Sequence, residues 1–249
     1  MIQQLELFPQ PHPVETPVKY YPDFLPKSSA DLLFEHCKNL NWQHNKIRML
    51  GKWLDLPRLE VMHGDSDDYR YLYSGSVELK ANPWTPLLHF TRHRVEETTN
   101  FRYQLVIGNY YRSGSDHIGW HSDSEPSMGK SPAIASISLG ETRRFQLKPK
   151  KLKQDPVTYE LTHGSLILML PRCQENWVHR LCKTAKPVGE RINLTFRPYV
   201  SMTEFLGVPK LSREEAIAAY KSGEITEGRL MECLGVDRLE ARRIVQEEA

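Results

Sequence analysis

His121-x-Asp123 sets an imidazole and a carboxylate two residues apart. On a β-strand such residues point to the same side, so both can reach one metal ion. A third ligand is available at His179, 58 positions further on. Two histidines and one carboxylate make the facial set of non-haem Fe(II) oxygenases, which leaves coordination positions open for a co-substrate and dioxygen. With ten histidines in the chain, H-x-D alone is a weak signal. A second pattern strengthens it: Arg191, Asn193, Thr195 and Arg197 in RINLTFR share one parity and therefore one face of a strand. Two arginines facing a sandwich interior need anions, because unpaired buried charge is costly. A dicarboxylate such as 2-oxoglutarate would supply them through bidentate guanidinium contacts. The alternative, an edge strand whose outward face merely carries the arginines, leaves the H-x-D and the late His unexplained.

These side chains need strands to hold them. From Phe101 onward Tyr103, Leu105, Ile107, Asn109 and Tyr111 fall on one face, and PIASISLG, FQLKP, GSLILML and RINLTFRPYV follow with short turn-rich gaps. Many short strands without alternating helices predict an antiparallel sandwich or barrel rather than a parallel sheet. Two helices precede them. One is expected from Ser28, where Ser28-x-x-Asp31 has the form of a capping box, to Leu40, with Leu33, Cys37 and Leu40 on one face. The other begins with Thr85 as N-cap and Pro86 at the first helical position and runs through Leu88 and Val95. The expected fold class is mainly β with flanking helices, a jelly roll buttressed on one side, plus a small C-terminal helical segment. Residues 1–16 read as a flexible tail, 17–200 as the metal-binding domain and 201–249 as a helical extension. In that extension Ser212-x-x-Glu215 is a capping box, and Gly223 and Gly235 punctuate three short helices.

Bulk properties bound the partners. The 249 residues hold no run of about 18 apolar residues, so no membrane helix is expected. The start, MIQQLELFPQPHPVE, lacks the basic and apolar regions of a secretory signal. Four scattered cysteines without a C-x-x-C pair suggest reduced thiols in a cytosol. The net charge of +2 hides an asymmetry: residues 43–200 carry 23 basic against 16 acidic side chains, and the two flanks are acidic. The central part is the basic part, as a phosphate-binding surface requires, although a well-solvated surface would look the same.

N-Y-Y-R-S-G…H-S-D-S-E, PIASISLG, HGSLILM, the late His179 and R-I-N-L-T-F-R occur in the order found in the AlkB family of nucleic-acid dealkylases, which residues 45–198 resemble. The resemblance implies a double-stranded β-helix with His121, Asp123 and His179 as the Fe(II) ligands. It also implies Arg191 on the distal carboxylate of 2-oxoglutarate, assisted by Tyr111 and Asn193, with Asn109 and Arg197 nearer the metal-chelating end. Fe(II), 2-oxoglutarate and dioxygen are then required: 2-oxoglutarate is decarboxylated to succinate while an alkyl carbon on a base nitrogen is oxidised and lost as an aldehyde. Since one face of a jelly roll tolerates an empty site, removing His121 or Asp123 is expected to abolish activity and spare the fold.

A lesion inside a duplex is out of reach until its base is flipped out, and the flipped base needs aromatic stacking and polar contacts. Tyr71, Tyr73 and Ser74 offer both, unless the tyrosines are ordinary core aromatics; Arg58 is counted with them as a substrate contact. Residues 45–75 resemble the duplex-DNA repair branch of the family, in which an apolar residue before Gly-Lys-Trp fills the gap in the base stack. Leu50 stands there, before Gly51-Lys52-Trp53, where that branch commonly has Phe. The family's acidic contact to the lesion base falls on Glu125. The expected substrates are alkylated bases such as 1-methyladenine and 3-methylcytosine in duplex and single-stranded DNA. Action on single-stranded RNA, or a non-catalytic nucleic-acid-binding role, are the alternatives.

Gln4-Leu5-Glu6-Leu7-Phe8 resembles the peptide by which bacterial replication and repair proteins dock on the sliding clamp, with Gln4, Leu5, Leu7 and Phe8 as anchors. That implies a bacterial, cytoplasmic and nucleoid-associated protein. The C-terminal helices resemble small prokaryotic helix-turn-helix modules, with Leu234-Gly235-Val236 as the turn and Arg238, Arg242 and Arg243 on the next helix. The acidic balance of residues 201–249 fits a packing or oligomerisation unit equally well.

Overall fold

The strands at residues 105–111, 134–139, 166–169 and 191–197 are buried on both faces, which is unusual for an antiparallel sheet and follows from what covers each side. A computed structural model describes residues 15–49, 51–73, 77–200, 211–236 and 238–247. The chain divides into two compact units, Met1–Tyr199 and Val200–Ala249. In the first unit the elements run β1 (Val18–Tyr21), α1 (Lys27–Lys38), β2 (Lys46–Met49), β3 (Lys52–Asp55), β4 (Leu59–Gly64), β5 (Arg70–Tyr73), β6 (Val77–Lys80), β7 (Asn82–Pro83) and α2 (Pro86–Thr99). They continue as β8 (Leu105–Tyr111), β9 (Ile118–His121), β10 (Ile134–Gly140), β11 (Arg143–Pro149), β12 (Val157–Leu161), β13 (Leu166–Met169), α3 (Cys173–Asn176), β14 (Trp177–Leu181) and β15 (Arg191–Arg197). A seven-stranded sheet has the order β1-β13-β10-β15-β8-β4-β7 and a four-stranded sheet the order β12-β11-β14-β9; β2–β3 and β5–β6 are separate hairpins. Every pairing is antiparallel except the short one between β4 and β7. The fold is the jelly roll expected from the strand pattern.

Alternation along each strand decides what faces where. The even residues of β15 (Ile192, Leu194, Phe196) and the odd residues of β10 (Ala135, Ile137, Leu139) pack in one core cluster with Ala30, Leu33 and Cys37 of α1 and Leu88 and Val95 of α2. The two helices thus cover the outer face of the large sheet, and each fully buried Leu, Ile or Phe there contributes about 1.5–3 kcal/mol. A second cluster joins the sheets: Leu105, Ile107, Ile134, Ile167 and Met169 meet Phe145, Leu147 and Leu161. Gly108 lies on the helix-side face, where an added Cβ would sit 2.8 Å from the Trp42 ring. The absence of a side chain at 108 lets that indole close the layer.

Two local expectations need correction. Helix α1 starts at Lys27 with Pro26 as N-cap and no side-chain cap, so the Ser28–Asp31 box does not form. Proline presets φ at the cap, the Pro26 carbonyl accepts from Ala30 N at 3.0 Å, and Ser28 falls inside the first turn; Asp31 pairs with Lys27 and His163 instead. Tyr103 does not share the face of Leu105 and Ile107. It precedes β8 and joins the helix-side cluster. Helix α2 forms as read, with Leu88 N donating to Thr85 Oγ1 at 3.3 Å and Asn100 closing the helix in the left-handed region at φ 61°.

The second unit holds α4 (Arg213–Lys221), α5 (Glu227–Leu234) and α6 (Arg238–Glu247) around a small core that includes Ala216, Ile217, Leu230, Ala241 and Ile244. The Ser212–Glu215 capping box is complete, and Gly223 and Gly235 adopt φ of 80° and 67°. Arg238 and Arg242 pair with Glu227, and Arg243 with Glu240, so the arginines of α6 are engaged by acids of their own unit. Among the described residues no helix is long and apolar enough to cross a membrane.

Candidate active site

The small sheet brings the proposed ligands together. In the β14–β9 ladder His179 lies directly opposite His121, and Asp123 follows β9 by two residues. One nitrogen of each imidazole and one oxygen of the carboxylate lie within 4.8 Å of one another. His121 Nε2 is 3.6 Å from Asp123 Oδ1, and His179 Nε2 is 3.7 Å from Oδ2. His121 Nδ1 is 2.8 Å from the Gly119 carbonyl, which can only accept. The proton is therefore assigned to Nδ1, leaving the Nε2 lone pair free for a metal. Burial, and then the neighbouring His121, push the His179 imidazole down to about 3, so it is neutral and fit to ligate at physiological pH. Burial opposes charge on Asp123, but Arg197, His121 and His179 outweigh it and hold its carboxyl at about 2. Gln174 on α3 accepts from Asp123 N at 2.9 Å and fixes the backbone that carries the carboxylate.

The large sheet supplies the opposite wall. The β15–β8 register pairs Arg191 with Tyr111, Asn193 with Asn109 and Thr195 with Ile107, and all six line one cavity of about 540 Å³ with the His–Asp–His set. The two arginines differ in their partners. Arg197 is paired with Asp123 at 3.1 Å and donates to the Tyr71 hydroxyl, so a protein carboxylate already faces it. Arg191 is 1% exposed, donates to Ser138 Oγ at 2.8 Å, and its Nε has no partner. Burial pushes its guanidinium down to about 10. A buried cation with no carboxylate beside it fits the carboxylate of a co-substrate. Asn193 is already engaged: its amide donates to Ser136 Oγ and to the Ile137 carbonyl, and it accepts from Thr195 Oγ1 at 2.8 Å.

Tyr71 and Tyr73 on β5 line the same cavity, their ring centroids 5.9 Å apart. Tyr71 is also a core residue, 3% exposed, as the ordinary reading of that position expects. Glu125 lines the cavity, and its buried Oε2 has no hydrogen-bond partner. Arg58 is 5% exposed and forms an ion pair with Glu60 at 2.9 Å, which removes it from any surface phosphate. Leu50, Ser74 and the peptide residues Gln4, Leu5, Leu7 and Phe8 lie outside the described residues. The β2–β3 hairpin flanking Leu50 contributes Ile47 and Leu54 to the cavity lining and exposes Lys46, Arg48, Lys52 and Trp53.

Sequence reasoning missed Glu60, Gln174 and Arg143. Arg143 is buried and donates to the carbonyls of Ser113, Asp116 and Cys182, tying the loop before β9 to the end of β14. An arginine satisfied by backbone carbonyls leaves no motif to read. Glu60 sits in an ordinary-looking strand, LEVMHG, and only its 2% exposure marks it.

Comparison with known proteins agrees with this geometry. Residues 17–197 match the model of the 2OG-Fe(II) oxygenase superfamily. The alpha-ketoglutarate-dependent dioxygenase alkB homolog 3 of Mus musculus is 34% identical over 187 residues, covering 71% of this chain and 64% of the relative, so the chain spans less than two thirds of that protein. The DNA oxidative demethylase ALKBH2 of Mus musculus is 36% identical over 182 residues, covering 69% of this chain and 75% of the relative. A solved structure of OsALKBH1 superposes with a TM-score of 0.51 at 14% identity, over 75% of this chain and all of that one, a likeness of fold. The chain belongs to the 2OG-Fe(II) oxygenase superfamily and, within it, to the AlkB family.

Proposed function

We propose that the protein removes alkyl groups oxidatively from damaged bases in DNA, such as 1-methyladenine and 3-methylcytosine, while decarboxylating 2-oxoglutarate. The observation that carries this reading is one cavity shared by three kinds of group: the His121–Asp123–His179 set, the guanidinium of Arg191 with its unpartnered Nε and no described carboxylate beside it, and the unpartnered Glu125 oxygen beside two tyrosines. His121, Asp123 and His179 would hold Fe(II), which with dioxygen and 2-oxoglutarate supplies the oxidising equivalents that hydroxylate the carbon on the base nitrogen. Arg191 orients 2-oxoglutarate by its distal carboxylate, with Tyr111 beside the guanidinium at 5.3 Å. Asn109 and Arg197 lie toward the metal-chelating end, where Arg197 also keeps Asp123 ionised. Asn193 acts by holding Ser136 and the β10 backbone in place. Tyr71 and Tyr73 wall the flipped base, Ser74 adds a polar contact, and Glu125 accepts from the exocyclic amine of adenine or cytosine. The hydroxylated alkyl group then leaves as aldehyde.

Leu50 is the residue that fills the base stack; the strands on either side of it in the sequence expose Lys46, Arg48 and Lys52, cations that suit a phosphate backbone. Residues 17–200 form the oxygenase domain and residues 201–249 a helical extension. Gln4, Leu5, Leu7 and Phe8 form a sliding-clamp peptide, which places the enzyme on nucleoid DNA in a bacterial cytoplasm. The deciding experiment measures aldehyde and succinate released from 1-methyladenine in duplex DNA, single-stranded DNA and RNA. Release mainly from DNA supports the reading, a preference for RNA replaces the substrate, and no release from any of them refutes it. For the peptide, Leu7→Ala with Phe8→Ala should abolish clamp binding and leave activity on short oligonucleotides unchanged.

A further inference from the structure

The buried carboxylate of Glu60 belongs to none of the roles above, yet it is the most heavily bonded acid lining the cavity. Its Oε1 accepts from Arg58 Nε at 3.0 Å and lies 2.9 Å from Arg58 Nη2. Its Oε2 accepts from the Tyr73 hydroxyl and from Asn45 Nδ2 at 3.0 Å. Arg58 Nε in turn donates to Asn109 Oδ1 at 2.9 Å, and Glu60 stands directly opposite Asn109 in the β4–β8 register. Glu60 is 2% exposed and Arg58 5%, so neither is placed to meet a phosphate. One carboxylate therefore ties together the chain leading into the β2–β3 hairpin, the tyrosine wall on β5, and the floor of the cavity on β8.

We propose that Glu60 is a positioning residue for the nucleic-acid substrate. It fixes the hydroxyl, and so the ring plane, of Tyr73, and it clamps Arg58 between that ring and Asn109. Tyr73 has two free torsions, and its ring can present a stacking face only if the far end is held. Glutamate suits this place because its two oxygens accept from both sides. Glutamine has one acceptor oxygen and one amide nitrogen, so it cannot accept from Arg58 and from Tyr73 with Asn45 simultaneously. The inference rests on the reading of the cavity as a pocket for a flipped base.

The test uses the full chain loaded with Fe(II) and an oligonucleotide containing 1-methyladenine. If the parent releases no aldehyde, the functional reading fails; if it does, the variants decide on Glu60. Glu60→Gln and Tyr73→Phe should each raise the oligonucleotide KM about tenfold, the loss expected of one charge-assisted hydrogen bond. For Glu60→Gln the maximal rate and the 2-oxoglutarate turnover without oligonucleotide should stay within about twofold of the parent, since Glu60 meets neither the metal set nor the co-substrate. Because both changes act on one bonded network, the double variant should lose less than the product of the two single effects. Multiplying effects, near a hundredfold, would overturn the proposal, as would an equal loss of oligonucleotide-free turnover. Arg58→Met with Glu60→Leu removes the buried pair whole and guards against misfolding of the single variant. It should fold and show the same rise in KM, and a folded variant with the parent's KM would overturn the proposal too.

Discussion

Replacing Arg191 by Met should make the metal-free protein more stable and deaf to 2-oxoglutarate. Arg191 is fully enclosed, no carboxylate stands against it, and its Nε is unpartnered. Burial lowers its guanidinium from the ordinary arginine value to about 10. A displacement of that size corresponds to roughly 3 kcal/mol of unfavourable burial at neutral pH. Methionine keeps the aliphatic stem and removes the charge, so the gain should approach that figure. For a unit of this size that is roughly 6–12 °C in melting temperature. The parent should recover the difference on adding 2-oxoglutarate with Mn(II) as an unreactive ion. At a hundredfold excess over Kd, binding contributes about 2.7 kcal/mol. The variant should show no shift from 2-oxoglutarate. All five tryptophans (Trp42, Trp53, Trp84, Trp120 and Trp177) lie in the Met1–Tyr199 unit, so fluorescence melting reports on it without the C-terminal helices. A Met variant that melts below the parent without ligand would refute the unpaired-charge argument. One that keeps the 2-oxoglutarate shift would refute the assignment of Arg191 to the co-substrate.

The ligands should separate by their partners. His121→Ala should stay within about 1 kcal/mol of the parent in stability, whereas Asp123→Ala leaves Arg197 buried without its carboxylate and should lose about 3–5 kcal/mol. Both should lose the divalent-ion shift in melting and all dealkylation; equal stabilities would show that the Asp123–Arg197 pair is not formed. The His179 imidazole is held near 3 in the folded chain against 6.5 when unfolded, so between those values the unfolded chain binds a proton that the folded one does not. Stability of the metal-free protein should therefore fall as pH drops from 6.5 toward 3, and His179→Gln should show a shallower fall in urea midpoint between pH 7 and 5. A slope identical to the parent's would remove His179 as its source. Leu50→Ala should lower the duplex-to-single-strand rate ratio without lowering the melting temperature, because an inserted apolar side chain partly offsets an unstacking cost of a few kcal/mol; an unchanged ratio would exclude the wedge.

Much of the site is written in local pattern. The parity of RINLTFR and of the strand ending at Tyr111 fixes which side chains face the cavity, because a strand has a period of two regardless of its neighbours. Thr85-Pro86 and Ser212-x-x-Glu215 specify helix starts through contacts three residues long, and both form. The Ser28–Asp31 pattern looks the same on paper and fails, since Pro26 starts the helix early. The metal set was legible because few side chains bind a metal, although strand period does not set its spacing: β9 ends at His121, and Asp123 lies two residues beyond it.

What pattern does not carry is distance between strands remote in sequence. Arg191 and Arg197 look equivalent in the sequence, yet Asp123 pairs with Arg197, while Arg191 is bonded to the neutral Ser138 and to no described carboxylate. That difference arises because the small sheet brings the end of β9 against Arg197, while no acid reaches Arg191. Glu60, Gln174 and Arg143 acquire their roles the same way, through partners on other elements. A strand's period tells which way a side chain points, but its charge and hydrogen-bond balance depend on what the fold places opposite. In a buried site, where each unpaired group is costly, that balance was decided only by the tertiary structure.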